Sequence, residues 1–149
     1  MITDSKYYAI DKKFLDVPYL LGGKTLNGTD CIGIAILYLK EHGINYEYED
    51  GKGPIYKHWY FTAPSRLRSA VLEYGNFVRF YELKKFDIVL FFGSDQTERF
   101  PTMGGIMIDD RHFLTLAEER GSLVHILSLT WKDRFWGAIR LHEVVNKGL

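Results

Sequence analysis

Residues 17–44 read VPYLLGGKTLNGTDCIGIAILYLKEHGI and contain Cys31, the only cysteine of the 149-residue chain. Pro18 and Gly22-Gly23 break the chain, and Asn27-Gly28-Thr29-Asp30 is turn chemistry. Thr29 or Asp30 can cap the helix that follows. That helix is expected from Cys31 to about His42, stopping at Gly43, and it is apolar nearly all round: Ile32, Ile34, Ala35, Ile36, Leu37 and Leu39. Such a helix should be central and buried. A cysteine in the first helical turn can have its thiolate stabilised by the helix N-terminus. The plainer reading is a small buried hydrophobe, for which free cysteine is also well suited.

Outward from this stretch, elements change character along the chain. A short helix is expected over residues 4–15, and residues 64–74 (PSRLRSAVLEY) suit a second, with Pro64 at its start and Gly75 at its stop. Then come short β-rich runs separated by turns: FVRFYEL, DIVLFFG, GGIMID, HFLTLA, LVHILSL and RFWGAIRL. Helices first and strands after predict an α+β fold, with N-terminal helices packed on a central antiparallel sheet of about five to six strands. The length suits a single domain spanning 1–149.

Composition narrows the function classes. Nineteen basic and nineteen acidic residues cancel, and no basic stripe stands out, so nucleic acid is a poor partner. No run approaches the ~18 apolar residues of a membrane span. The polar start MITDSKYYAIDKKF lacks a signal-peptide core, so synthesis in the cytosol without a secretion signal is expected. One cysteine forms no internal disulfide, and no Cys/His cluster has metal-ligand spacing; neither metal nor cofactor is expected. GGKT does not complete a phosphate-binding loop, because the first glycine would fall on Pro18. The acidic pairs in IDDRH and LAEER read as solvated hairpin ends. Trp131, Phe135 and Trp136 read as core rather than a sugar platform.

Pro18-Tyr19, Gly22-Gly23, Asp30-Cys31, Gly33 and Gly43-Ile44 together resemble the nucleophile segment of NlpC-type cysteine peptidases, a papain-like family that cuts peptidoglycan stem peptides. Downstream, ELKKFDIVLFFG resembles that family's first core strand, usually Pro-Gly-Asp-Ile/Leu-Val-Leu-Phe; Asp87 matches and Phe86 replaces the glycine. MGGIMIDDRHFLTLA resembles the next hairpin, and SLTWKDRFWGAIRL is similar to the end of the branch found in phage tail-assembly proteins. The resemblance implies a papain-like NlpC-type fold. It implies Cys31 as nucleophile position, Met103 where the general-base histidine belongs and Thr115 where the third, imidazole-orienting residue belongs. Tyr19 and Asp30 fall at positions that help bind the substrate or the oxyanion.

A cysteine nucleophile needs a base with a third group to orient it, and neither methionine nor threonine accepts a proton near neutral pH. Of the five histidines, His42 stands ~16 Å along the cysteine's own helix. His112 is expected at the closed end of the 104–108/112–116 hairpin, also ~16 Å from position 103. If the turn at 118–121 sets the register, Val124, not His125, shares the face of Thr115. His142 lies at the C-terminal edge. His58 and His125 are the fallback bases, each with a structural reading beside it. The expectation is an NlpC-like phage tail-tip or tail-assembly component with lost or impaired peptidase activity. It would act structurally, in the virion, against other tail or baseplate proteins. The alternative is an active peptidase that cleaves the γ-D-glutamyl–diamino acid bond of stem peptides during phage entry.

Overall fold

The computed structural model describes residues 10–46, 75–92 and 103–149. A 3-10 turn (Lys12–Phe14) leads to a small hairpin, β1 (Lys24–Thr25) and β2 (Gly28–Thr29), and then to α1 (Cys31–Glu41). There follow β3 (Gly75–Val78), a 3-10 turn (Phe80–Glu82), β4 (Ile88–Phe91), β5 (Met103–Met107), β6 (His112–Ala117), β7 (Gly121–Ile126), α2 (Leu129–Arg134), β8 (Phe135–Leu141) and α3 (His142–Asn146). The six longer strands form one sheet in the order β3-β8-β4-β5-β6-β7, every neighbour antiparallel. This is the α+β plan, and six strands match the expected number.

α1 starts where Asp30 caps it and stops where His42 ends the helical bonds and Gly43 turns left-handed at φ 77°. Ile34, Ala35, Tyr38 and Leu39 form its buried face. They pack on Ile88 and Leu90 of β4, Ile106 of β5, Leu114 and Leu116 of β6, Val124 of β7, and Ile139 and Leu141 of β8. Each such side chain withdrawn from water contributes roughly 1.5–3 kcal/mol. Ile32, Ile36 and Leu37 are only half-buried, so the helix lies on one face of the sheet rather than at the centre.

The rear face is covered as well. Val89, Phe91, Met107, Phe113 and Ala138 sit there under Phe80, Leu83, Trp131 and Phe135. Trp131 and Phe135 are thus core-packing residues, while Trp136 packs on the helix side. Within FVRFYEL only Phe77 and Val78 belong to β3; Phe80 leaves the ladder and packs edge-on against Phe135, ring centroids 5.3 Å apart. Of the expected 4–15 helix, the described part holds the one 3-10 turn, and the expected 64–74 helix lies outside the described residues.

Two polar links tie the sheet to its surroundings. Asp87 is fully buried and meets Arg140 in a two-pronged ion pair: Nε to Oδ1 at 2.9 Å and Nη2 to Oδ2 at 2.8 Å. Ser122 of β7 donates to Phe14 O and accepts from Val17 N, which holds the N-terminal segment against that edge strand. Phe86 adopts φ 76°, the left-handed conformation that glycine takes without strain. Its ring fills the space beside Tyr38 and His42.

Candidate active site

The turn that presents Cys31 is assembled from local bonds. Tyr19 lies in a parallel bridge with Thr29, with Leu20 N donating to Thr29 O and Thr29 N to Pro18 O. Tyr19 is half-buried and packs on the helix-side core, bridged to Thr29, which precedes the start of α1 by two residues. Leu26-Asn27 link β1 to β2. Thr29 is buried and its hydroxyl donates to Gly23 O at 2.7 Å. A Cβ on Gly33 would come within 1.9 Å of that hydroxyl, so position 33 accepts only glycine.

Asp30 grips both sides. Its Oδ1 accepts from Gly33 N at 2.8 Å and caps α1; its Oδ2 accepts from Gly22 N at 2.9 Å. Gly22 has φ 74°, a conformation few side chains tolerate. The carboxylate for which the resemblance implies substrate or oxyanion binding serves here as the clasp of the cysteine turn.

Cys31 is the first residue of α1 and its thiol is free. Its sulfur is turned toward β5. Burial pushes the thiol up to about 12, and the Asp30 charge adds to this. The amides of Gly104, Cys31 and Ile32 act the other way and are outweighed. Desolvation opposes the lowering that a helix N-terminus gives a thiol, and here it outweighs it. Both burial and the Asp30 charge favour the neutral thiol.

Among the described residues, Gly104 of β5 faces this sulfur. A Cβ built on it would lie 3.7 Å from Cys31 Sγ, 3.3 Å from Ile32 Cδ1 and 3.6 Å from Leu90 Cδ2. Side chains alternate along a strand, so Met103 projects to the opposite face. There it packs with the rear cluster, and Arg134 Nη2 lies 3.8 Å from its Sδ. Thr115 is fully buried, opposite Gly105, and its Oγ1 donates to Gly104 O at 2.7 Å. Cys31 and Gly104 are brought together; Met103 stands behind the sheet, and Thr115 reaches the site only through the Gly104 peptide.

The histidines are placed elsewhere among the described residues. His42 ends α1 with Nδ1 against Tyr38 O at 2.9 Å, and His112 meets Asp109 at 3.0 Å at the closed end of the β5–β6 hairpin. His142 begins α3. The expected register of β7 is corrected. Ala117 pairs with Gly121 and Thr115 with Leu123, so His125, not Val124, shares the face of Thr115. A three-residue link, with Gly121 left-handed at φ 75°, moves the pairing by one residue. That shared face is the rear one, where His125 stacks on Phe113 and Trp131. His58 lies outside the described residues.

Gly104 is the residue that sequence reasoning passed over. The signal was the Gly-Gly pair at the head of a strand, a common mark of close backbone approach. Among the described residues no group of three or more His, Cys, Asp or Glu side chains is placed to hold a metal ion, and no helix is long and apolar enough to cross a membrane.

Neither a family model nor a curated protein sequence matches the chain. Solved structures do. An NlpC/P60 family protein from Bacillus cereus ATCC 10987 is 24% identical with a TM-score of 0.57, over 86% of this chain and 36% of that one. A protein described as similar to lipoprotein, of the NLP/P60 family, from Staphylococcus aureus subsp. aureus Mu50 is 19% identical with a TM-score of 0.56, over 91% of this chain and 39% of that one. The chain thus spans little more than a third of the length of these two proteins. The NlpC/p60 domain of the peptidoglycan hydrolase SagA is 21% identical with a TM-score of 0.54, over 91% of this chain and 95% of that domain. At these identities the likeness is one of fold: the chain has the papain-like architecture of NlpC/P60 proteins, with Cys31 at the head of its helix.

Proposed function

We propose that this chain is an NlpC-like domain with lost or impaired peptidase activity, acting structurally as a phage tail-tip or tail-assembly component. One observation carries the reading: among the described residues, the β5 position that faces the Cys31 sulfur is Gly104, which has no side chain to act as a base. A thiol held protonated by burial and by the Asp30 charge fits the same reading. The virion setting, and docking on other tail or baseplate proteins, rest on the likeness of residues 128–141 to the tail-assembly branch. By the resemblance alone Met103 and Thr115 stand at the positions of the absent base and of its orienting partner, and neither side chain is turned to the Cys31 sulfur.

The second reading is an active peptidase on peptidoglycan stem peptides, with Cys31 as nucleophile and His58 as base. It is favoured by the fold shared with a domain of a protein described as a peptidoglycan hydrolase. The test is the rate of Cys31 alkylation by iodoacetamide against pH, together with mass spectrometry of stem peptides incubated with the protein. A rate that rises only in the free-thiol range or above, with no cleavage, is expected. Fast alkylation well below about pH 7 would require a nearby cation. With cleavage of the γ-D-glutamyl–diamino acid bond, it would sink the structural reading.

A further inference from the structure

Behind the sheet, Arg134 ties the end of α2 to β4 and β5. Its carbonyl accepts from Phe92 N at 2.8 Å, and its Nε donates to Phe92 O at 3.0 Å, just past the end of β4. Its Nη2 reaches Met103 Sδ at the start of β5, and its guanidinium lies 4.4 Å from the Trp131 ring. Trp131 in turn stacks at 5.0 Å on both Phe113 and His125, and at 4.9 Å on Phe91. His125 is itself 5.6 Å from Phe113. A half-buried imidazole is thus built into the aromatic bed on which α2 rests.

Among the described residues, the charges that act on that imidazole share one sign. Arg120 acts on it from the β6–β7 link and Arg134 from α2; Phe113 of β6 and Trp131 of α2, which stack on it, carry none. Lys132, also on α2, is turned to the Tyr81 hydroxyl. Burial first, then Arg120 and Arg134, hold His125 below the usual histidine value. A depressed folded pKa means that the unfolded or undocked form takes up the proton more readily. Docking is then fully present above about pH 6.5 and weakens as pH falls below it.

We propose that α2 is a pH-released latch: a proton taken from solvent by the His125 imidazole undocks Leu129–Arg134 and frees the ends of β4 and β5 that Arg134 holds. Met103 is next in the chain to Gly104, so the latch ends beside the residue that faces Cys31. The proposal uses no property of the thiol and stands apart from the reading of the site as active or inactive.

The test is amide hydrogen exchange of the full chain at about pH 7.5 and pH 5, corrected for intrinsic rate, in the wild type and in His125→Phe. Phenylalanine keeps the stack and cannot take the proton. In the wild type, exchange over residues 129–134 should accelerate, about severalfold, as pH falls below the ordinary histidine value, and level off once the docked imidazole is itself protonated. In His125→Phe it should not change with pH. Wild-type exchange that is flat with pH, or an equal acceleration in both proteins, would overturn the latch. If His125→Phe does not fold, NMR titration of the wild type decides. The Trp131 indole signal should move with the His125 ring titration; an indole that ignores it would also overturn the proposal.

Discussion

Thr115 Oγ1 and Gly104 O are joined by a 2.7 Å hydrogen bond across the β5–β6 ladder, and the backbone N–H of the same residue acts on the Cys31 thiol. The threonine therefore positions the strand that closes the site, although its side chain never enters it. Thr115→Val removes the donor and leaves a buried carbonyl short of a partner. The expected loss is about 1–3 kcal/mol in denaturant unfolding. The pH dependence of Cys31 alkylation should not move; a shift would mean that the hydroxyl acts on the thiol directly.

Two single substitutions separate the two faces of β5. Gly104→His places an imidazole toward Cys31, at the cost of a small shift of Ile32 Cδ1, 3.3 Å from the new Cβ. Met103→His places one behind the sheet, near Arg134. Alkylation at about pH 6 should rise on the order of tenfold or more in Gly104→His, because an imidazolium favours the thiolate. It should stay at the wild-type rate in Met103→His. The reverse result would show that residue 103 is the one that answers the cysteine.

The raised Cys31 thiol gives a pH signature at the alkaline end. Burial, with the Asp30 charge, sets it at about 12 in the folded chain, against 9.0 as its ordinary value. Between these values the unfolded chain has lost the proton and the folded chain keeps it, so stability falls as pH rises. Stability attributable to this group is fully present below about pH 9. Urea unfolding between about pH 8 and 10.5 should show a decline that is shallower in Cys31→Ala. Equal slopes would mean that the thiol is not withdrawn from solvent.

Asp87 depends on Arg140. Replacing Arg140 with methionine keeps most of the side-chain volume and strands a fully buried carboxylate. The Lys84 amide remains bonded to Oδ2, which softens the loss. Breaking a buried pair in this way costs roughly 3–5 kcal/mol, and the partly exposed arginine points to the lower end. The double variant Asp87→Asn/Arg140→Met should recover part of it. A single variant within about 0.5 kcal/mol of wild type would show that the pair does not hold β4 to β8.

Most strands were legible because each β-rich run is bounded by turn residues, and α1 because its cap and its Gly43 stop stand in the sequence. The faces of the strands were not. Ile106 and Met107 are both fully buried, as are Leu114 and Thr115, because α1 covers one side of the sheet and the α2 aromatics the other. A strand buried on both faces carries no polar alternation, so nothing in MGGIMI says which residue looks at the helix. The same lack hid the one-residue register change at Gly121 and with it the true face of His125. The turn of α2 was missed because six residues give too short a helical period to be seen. Phe86 was read as a departure from a glycine position, yet its backbone keeps the glycine conformation and only the side chain is new.

The clasp made by Asp30 draws Gly22 and Gly33 to a single carboxylate, and Thr29 ties down Gly23 from the same turn. Those bonds lie among residues 18–33, and none of them borrows from β5. Inheritance can therefore act on the two sides of the cleft as separate units. The turn that offers residue 31 is one heritable piece, the strand that answers it another, and substitutions at 103–105 leave the first piece free to fold unchanged.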